Sequence, residues 1–164
     1  MLAYLKNAGI LAALIIIQKT LISFIAVTDF YVTPDIVLIG VVYLGIRNGK
    51  IYGSLSGFFA GLVVDFISFS FLGLMALAKA SAGFISGYFS TDQNKIERYL
   101  GSYVFVIIVI ICSLLNNVIY FTIYFQGGTL QFTDILIRYV VPTSVYTALF
   151  ATIPIIFEKR KKVR

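Results

Sequence analysis

Three charged residues stand inside long apolar stretches of this sequence: Lys19, Asp65 and Lys79. At the centre of a bilayer such a side chain costs about 2.5–3.5 kcal/mol on insertion scales unless it is paired or hydrated. One carboxylate and two ammonium groups could form a ligand or proton site open to the outer face. Because the chain has no histidine, we favour instead a buried ion-pair network that fixes helix register and assembly.

Five glycines lie at helical spacing beside two of these charges. They are Gly53, Gly57, Gly61, Gly83 and Gly87. The first three precede Asp65 at four-residue intervals and the last two follow Lys79 in the same way, so each set shares a helix face with its charge. Small residues let helix backbones approach closely. We therefore expect these glycines to serve in helix packing and partner docking.

The composition indicates a membrane protein. The chain has 164 residues, of which 60% are hydrophobic and only 12% charged, too few to cover a soluble domain of this size. The lone Cys112 excludes a disulfide framework, and the absence of histidine excludes zinc sites and histidine-based triads. The net charge of +6 lies in short clusters between apolar runs, which suits anionic lipid headgroups better than nucleic acid.

The apolar runs predict an all-α, polytopic protein with six transmembrane helices. They lie at about residues 8–27, 34–47, 51–68, 72–89, 101–125 and 134–157. The second run is short, so we expect that helix to be tilted or partly buried. Residues 1–157 then form a single domain, followed by a basic cytoplasmic tail at 158–164.

The positive charges predict the orientation. Lys6, the Arg47/Lys50 turn, the Lys95/Arg98 connection and the basic tail fall on one side of the membrane. The connections around Asp29, Phe69 and Gly127 contain no Lys or Arg. By the positive-inside rule both termini are cytoplasmic. A cleaved signal peptide over residues 1–26 is the alternative, but Lys19 within the apolar run and a poor cleavage site argue against it.

The buried charges fall at a similar depth. With a rise of about 1.5 Å per residue, Lys19 lies on the order of 20 Å from the cytoplasmic edge, Asp65 about 22 Å and Lys79 about 18 Å. An Asp65–Lys79 or an Asp65–Lys19 ion pair is therefore possible. Asn116 on the fifth helix reaches a similar height. We predict one buried polar layer of Lys19, Asp65, Lys79 and Asn116.

Two stretches resemble a known family. Residues 34–49, with Pro34-Asp35 at the start and Arg47-Asn48-Gly49 at the end, resemble the second-helix signature of the rod shape-determining protein MreD. Residues 57–65 resemble the G-F-x-x-G-L-x-x-D stretch of that family, and the turn with Gly73 resembles its Leu-Gly turn. The matching motif residues are Pro34, Asp35, Arg47, Gly49, Asp65 and Gly73.

The resemblance implies a non-enzymatic subunit of the bacterial cell-elongation machinery in the cytoplasmic (inner) membrane. Its implied partner is the bitopic protein MreC and, indirectly, MreB, RodA and a penicillin-binding transpeptidase. The implied fold is similar to the substrate-binding subunits of vitamin-uptake ECF transporters. The family has no established catalytic residues, and the sequence contains no phosphate-binding loop, HExxH helix or nucleophile elbow. We expect no catalysis and no cofactor.

Two functions therefore stay open. One is a membrane scaffold that binds MreC, and the other is a transporter subunit with an outward-facing substrate pocket. Ala8 and Ala12 fit the small-xxx-small pattern with which transporter subunits dock their partner. A water-filled outer cavity with convergent polar groups would favour transport. A tightly packed polar layer with an exposed apolar groove would favour the scaffold.

Overall fold

The helices of this chain pack around one short, buried helix. A computed structural model describes residues 2–25, 33–69, 71–90, 93–128 and 131–155. Their helices are α1 (Leu2–Ile25), α2 (Ile36–Asn48), α3 (Lys50–Ser68), α4 (Leu74–Ser86, extended by a 3₁₀ turn at Gly87–Phe89), α5 (Gln93–Leu100), α6 (Tyr103–Tyr124) and α7 (Phe132–Ile155). The prediction of an all-helical protein is confirmed for these residues.

Three of these helices, α3, α6 and α7, are long and apolar enough to cross a membrane. Two shorter apolar helices are α2 and α4 with its extension. Each of them packs against α3 and α6. The prediction of six crossings is not tested by these lengths. The basic tail at 158–164 and the connection around Asp29 lie outside the described residues, so both stay predictions.

Helix α2 occupies the centre. It contacts α1, α3, α4, α5, α6 and α7, and eight of its residues are buried. One face packs Leu38, Val42 and Ile46 against α4, α5, α6 and α7, while the other packs Val37 and Val41 against α1 and α3. At about 1.5 Å per residue its 13 residues extend about 20 Å, less than the ~30 Å of a bilayer core. The short second run is therefore a buried helix.

Helix α7 contains a π-helical turn at Leu136–Val140, just before Pro142. A proline has no N–H to donate, and its ring clashes with the carbonyl one turn earlier in a regular α-helix. A wider turn at this point relieves that clash and lets the helix continue.

Helix α5 was predicted only as a polar connection. The structure makes residues 93–100 a short helix in which Ile96 and Leu100 are buried and Lys95, Glu97 and Arg98 are exposed. The buried pair, four residues apart, packs in the same apolar cluster as the end of α2.

Glycines bring α3 and α4 together as an antiparallel pair. A Cβ atom added at Gly53, Gly57 or Gly61 would strike the backbone of Gly83, Lys79 or Ala76 respectively. The same holds for Gly87 against the backbone of Lys50. The face that we predicted for packing and partner docking is thus covered by a helix of the same chain, which leaves no room for a partner helix there.

We predict that Gly57→Ala destabilises the protein by about 1–3 kcal/mol, because the added methyl group has to push α4 away. Gly9→Ala is the matched control, since a Cβ at Gly9 meets no atom of the described residues within 4 Å. The measurement is the thermal unfolding of each purified variant in detergent. Equal midpoints for the two variants would contradict backbone contact between α3 and α4.

Candidate functional site: buried polar contacts at the helix starts

The start of α2 is held by a buried ion pair. The Asp35 carboxylate caps α2 by accepting a hydrogen bond from the Leu38 backbone N–H at 3.0 Å. Its other oxygen pairs with the Lys79 ammonium of α4, and both side chains are buried. Gly57 supports this geometry, because its lack of a side chain lets the Lys79 backbone rest against α3. The pair therefore joins α2 to α4 at a point where α4 is fixed to α3.

Two further helices contribute side chains that accept hydrogen bonds at the same helix start. The Asp35 backbone N–H donates to the Thr147 hydroxyl of α7 at 3.0 Å. The Val37 backbone N–H donates to the Gln18 side-chain oxygen of α1 at 2.7 Å. The first N–H groups of a helix have no partner within that helix. Side chains from α1 and α7 supply those partners here, so four helices meet at the start of α2.

Of the two pairs that the depth estimates allowed for Asp65, the one with Lys79 is not seen, because Lys79 pairs with Asp35. Asp65 faces the start of α4 and accepts hydrogen bonds from the backbone N–H groups of Gly73, Met75 and Ala76 at 3.0–3.3 Å. A carboxylate is stabilised there by the positive end of the helix dipole. The approach depends on Gly61, one turn before Asp65, which packs directly on Met75 and Ala76.

Lys19 lies at the edge of this region and is only partly buried. Its ammonium donates to the Ser68 hydroxyl near the end of α3, and that hydroxyl donates to the Val64 carbonyl at 2.7 Å. The contact joins α1 to α3, three residues beyond Asp65. An Asp65–Lys19 pair stays a prediction.

Asn116 belongs to a second polar cluster between α6 and α7. Its amide donates to the Asn117 side-chain oxygen at 3.1 Å, and the Asn117 amide donates to the hydroxyls of Ser113 and Ser144 at 3.3 and 3.0 Å. Ser144 stands three residues before Thr147 on α7, so the two clusters adjoin along one helix face. The Asn116 side-chain oxygen is buried and accepts no hydrogen bond from the described part of the chain.

The remaining motif residues belong to the turns and the exposed end of α2. Gly49 and Gly73 have positive φ angles of 93° and 96°, a conformation that favours glycine. Pro34 is buried beside Asp35, and the exposed Arg47 donates to the Tyr43 hydroxyl at 2.7 Å.

The contacts of Gln18, Thr147, Asn117 and Ser144 were not predicted. A polar side chain inside an apolar run is the available signal for each of them. That signal marks a residue as facing the protein interior but does not identify its partner.

The buried polar side chains at the starts of α2 and α4, and those between α6 and α7, link different helices of the chain. Among the described residues, no three His, Cys, Asp or Glu side chains come together as a metal site would require. Two grooves beside α1 are instead lined almost wholly by apolar side chains. The arrangement thus defines an all-helical protein of membrane type whose interior charges hold helices together.

The comparison with protein families agrees with this class. The family model for the rod shape-determining protein MreD matches residues 6–158, and the chain belongs to this family. MreD is a family of membrane proteins with a role in rod-shape determination and is not a known enzyme family. Searches of curated proteins and of solved structures gave no significant match.

We predict that Asp65→Ala costs about 2 kcal/mol or more, because three backbone N–H groups at the start of α4 lose a charged acceptor. Asp65→Asn retains one acceptor oxygen without the charge and is expected to cost less. Chemical or thermal unfolding in detergent measures both.

Asp134→Ala is the control for this change. Asp134 is partly exposed and pairs with Arg138 at 3.9 Å, so its loss is expected to stay within about 0.5 kcal/mol. If Asp65→Ala unfolded at the same midpoint as Asp134→Ala, capping by Asp65 would contribute nothing to the stability of the protein.

Proposed function

We propose that this protein is a non-enzymatic, multi-pass subunit of the bacterial elongation machinery that binds MreC. In that role it supports rod-shape determination and lateral peptidoglycan synthesis in the cytoplasmic membrane. Family membership supports the role in cell shape. The links to MreB, RodA and a penicillin-binding transpeptidase are proposed to run through MreC.

The distribution of exposed charge supports an orientation with both termini in the cytoplasm. Five of the six exposed cations among the described residues gather at one end of the bundle: Lys6, Arg47, Lys50, Lys95 and Arg98. The sixth, Arg138, lies near the start of α7 and pairs with Asp134. Asn7 donates to the Tyr52 hydroxyl at 3.1 Å, which joins the starts of α1 and α3. Ile96 of α5 packs in one cluster with Ile46 of α2. Positive charge at one end is typical of the cytoplasmic side.

One observation favours a scaffold over a transporter subunit. Within the described residues, the charges at the starts of α2 and α4 are bonded to other groups of the protein, and the two grooves beside α1 are apolar. A substrate site needs several polar groups converging on an open space. Apolar grooves exposed beside a packed polar interior are instead surfaces on which another apolar molecule docks.

We propose the groove between α1 and α3 for the contact with MreC. It has a volume of about 400 Å³ and is lined by Ala8 and Ala12 of α1 and by Phe59, Val63 and Ile67 of α3, among others. Alanines on one side allow a partner helix to approach the α1 backbone closely. The aromatic and branched side chains on the other side provide apolar contact.

The test is affinity purification of the tagged protein in mild detergent, after co-expression with MreC from the same bacterium. We expect MreC to be recovered in stoichiometric amount. Ala12→Phe is expected to reduce that recovery at least tenfold, because the ring fills the groove. Ala13→Phe is the matched control, since Ala13 is exposed on α1 but does not line the groove.

Two outcomes would contradict the proposal. Purification from native membranes of an ATPase pair with its membrane coupling subunit, in place of MreC, would support the transporter function. Equal recovery of MreC with Ala12→Phe and Ala13→Phe would exclude the α1–α3 groove as the contact, even where MreC binding itself holds.

A further inference from the structure

A second and larger groove lies on the opposite side of α1, between α1, α2 and α7. It has a volume of about 650 Å³, and its walls include Leu14, Ile17, Ile39, Tyr43 and Phe150. Along α2 it extends from Ile36 to Leu44, about 12 Å at the helical rise. One leaflet of the hydrocarbon core is about 15 Å thick. The length of the groove is therefore close to the thickness of one leaflet.

A cation stands at one end of this groove. Tyr43 lines the groove, and its hydroxyl accepts a hydrogen bond from the Arg47 guanidinium at 2.7 Å. The guanidinium carbon lies 5.9 Å from the centre of the Tyr43 ring, and Arg47 is exposed. A guanidinium has five N–H donors in a planar fork that suits phosphate oxygens. The bond to Tyr43 uses one of them.

An occupant with an apolar body and a negatively charged end matches the apolar walls of this groove and the Arg47 guanidinium at its end. An anionic lipid matches this combination better than a partner helix, because the exposed Arg47 guanidinium suits a phosphate and the groove beside it is apolar. We propose that the groove binds one acyl chain of an anionic phospholipid whose phosphate is bound by Arg47. This inference is independent of the proposed contact with MreC, which concerns the other side of α1.

The absence of tryptophan from the chain permits a direct test. Phe150→Trp places a single reporter in the groove, and Phe58→Trp places one on an exposed face of α3 outside either groove. Each variant is reconstituted in phosphatidylcholine vesicles that contain a small, equal fraction of brominated phosphatidylglycerol or brominated phosphatidylcholine. Quenching of the tryptophan fluorescence reports which lipid lies beside the reporter.

We expect brominated phosphatidylglycerol to quench the Phe150→Trp reporter at least threefold more effectively than brominated phosphatidylcholine. We expect the two brominated lipids to quench the Phe58→Trp reporter equally. Adding Arg47→Gln is expected to abolish the preference. Adding Lys50→Gln is the control and leaves it intact, because the Lys50 ammonium lies over the Tyr88 ring on another helix pair, 3.4 Å from its centre. High salt is expected to weaken the preference.

Three results would overturn the proposal. Equal quenching of the groove reporter by both lipids would mean that the groove takes any acyl chain. A preference that survives Arg47→Gln would assign the headgroup to another cation. Resistance of the Phe150→Trp reporter to both lipids, with normal quenching of Phe58→Trp, would mean that protein covers the groove.

Discussion

A helix that starts inside an apolar interior needs hydrogen-bond acceptors for its first N–H groups, and this requirement explains why Asp35, Asp65 and Thr147 are buried. Where no water is available, each unpaired backbone group costs several kcal/mol. Helix α2 is too short to reach both faces of a bilayer, and its start is buried. Asp35 accepts one of these N–H bonds, and Gln18 and Thr147 accept two others. The carboxylate in turn requires a cation, which Lys79 supplies.

The start of α4 meets the same requirement in the same way. Asp65 accepts from three N–H groups at that start, and Gly61 brings α3 close enough for it to do so. The glycines therefore have a second effect besides close packing. By placing α4 against α3, they fix the position of Lys79, and with it the partner of Asp35. Asp35 and Lys79 link the two short helices, and Asp65 links α4 to α3, while the two grooves beside α1 are apolar.

The helices and their packed faces could largely be predicted from residue types and spacing. Apolar runs indicated the helices, and the four-residue spacing of glycines indicated the packed faces, because both depend on one helix at a time. Pairing between helices depends on depth and on a partner chosen elsewhere in the chain. Asp35 was assigned to a helix start, yet it stands 12 residues before Arg47, about 18 Å from the cytoplasmic edge at the helical rise. That is the height estimated for Lys79, so the correct pair was accessible from the same arithmetic.

The central claim is that the Asp35–Lys79 pair holds the start of α2 inside the bundle. A double-mutant cycle on unfolding free energy in lipid-like detergent tests it most directly, with Asp35→Asn, which can still cap α2, and Lys79→Met. Each single change leaves one buried charge unpaired and is expected to cost about 3–5 kcal/mol. The double variant is expected to lose less than either single variant. Losses that add would contradict the account, because they would mean that the two charges do not interact.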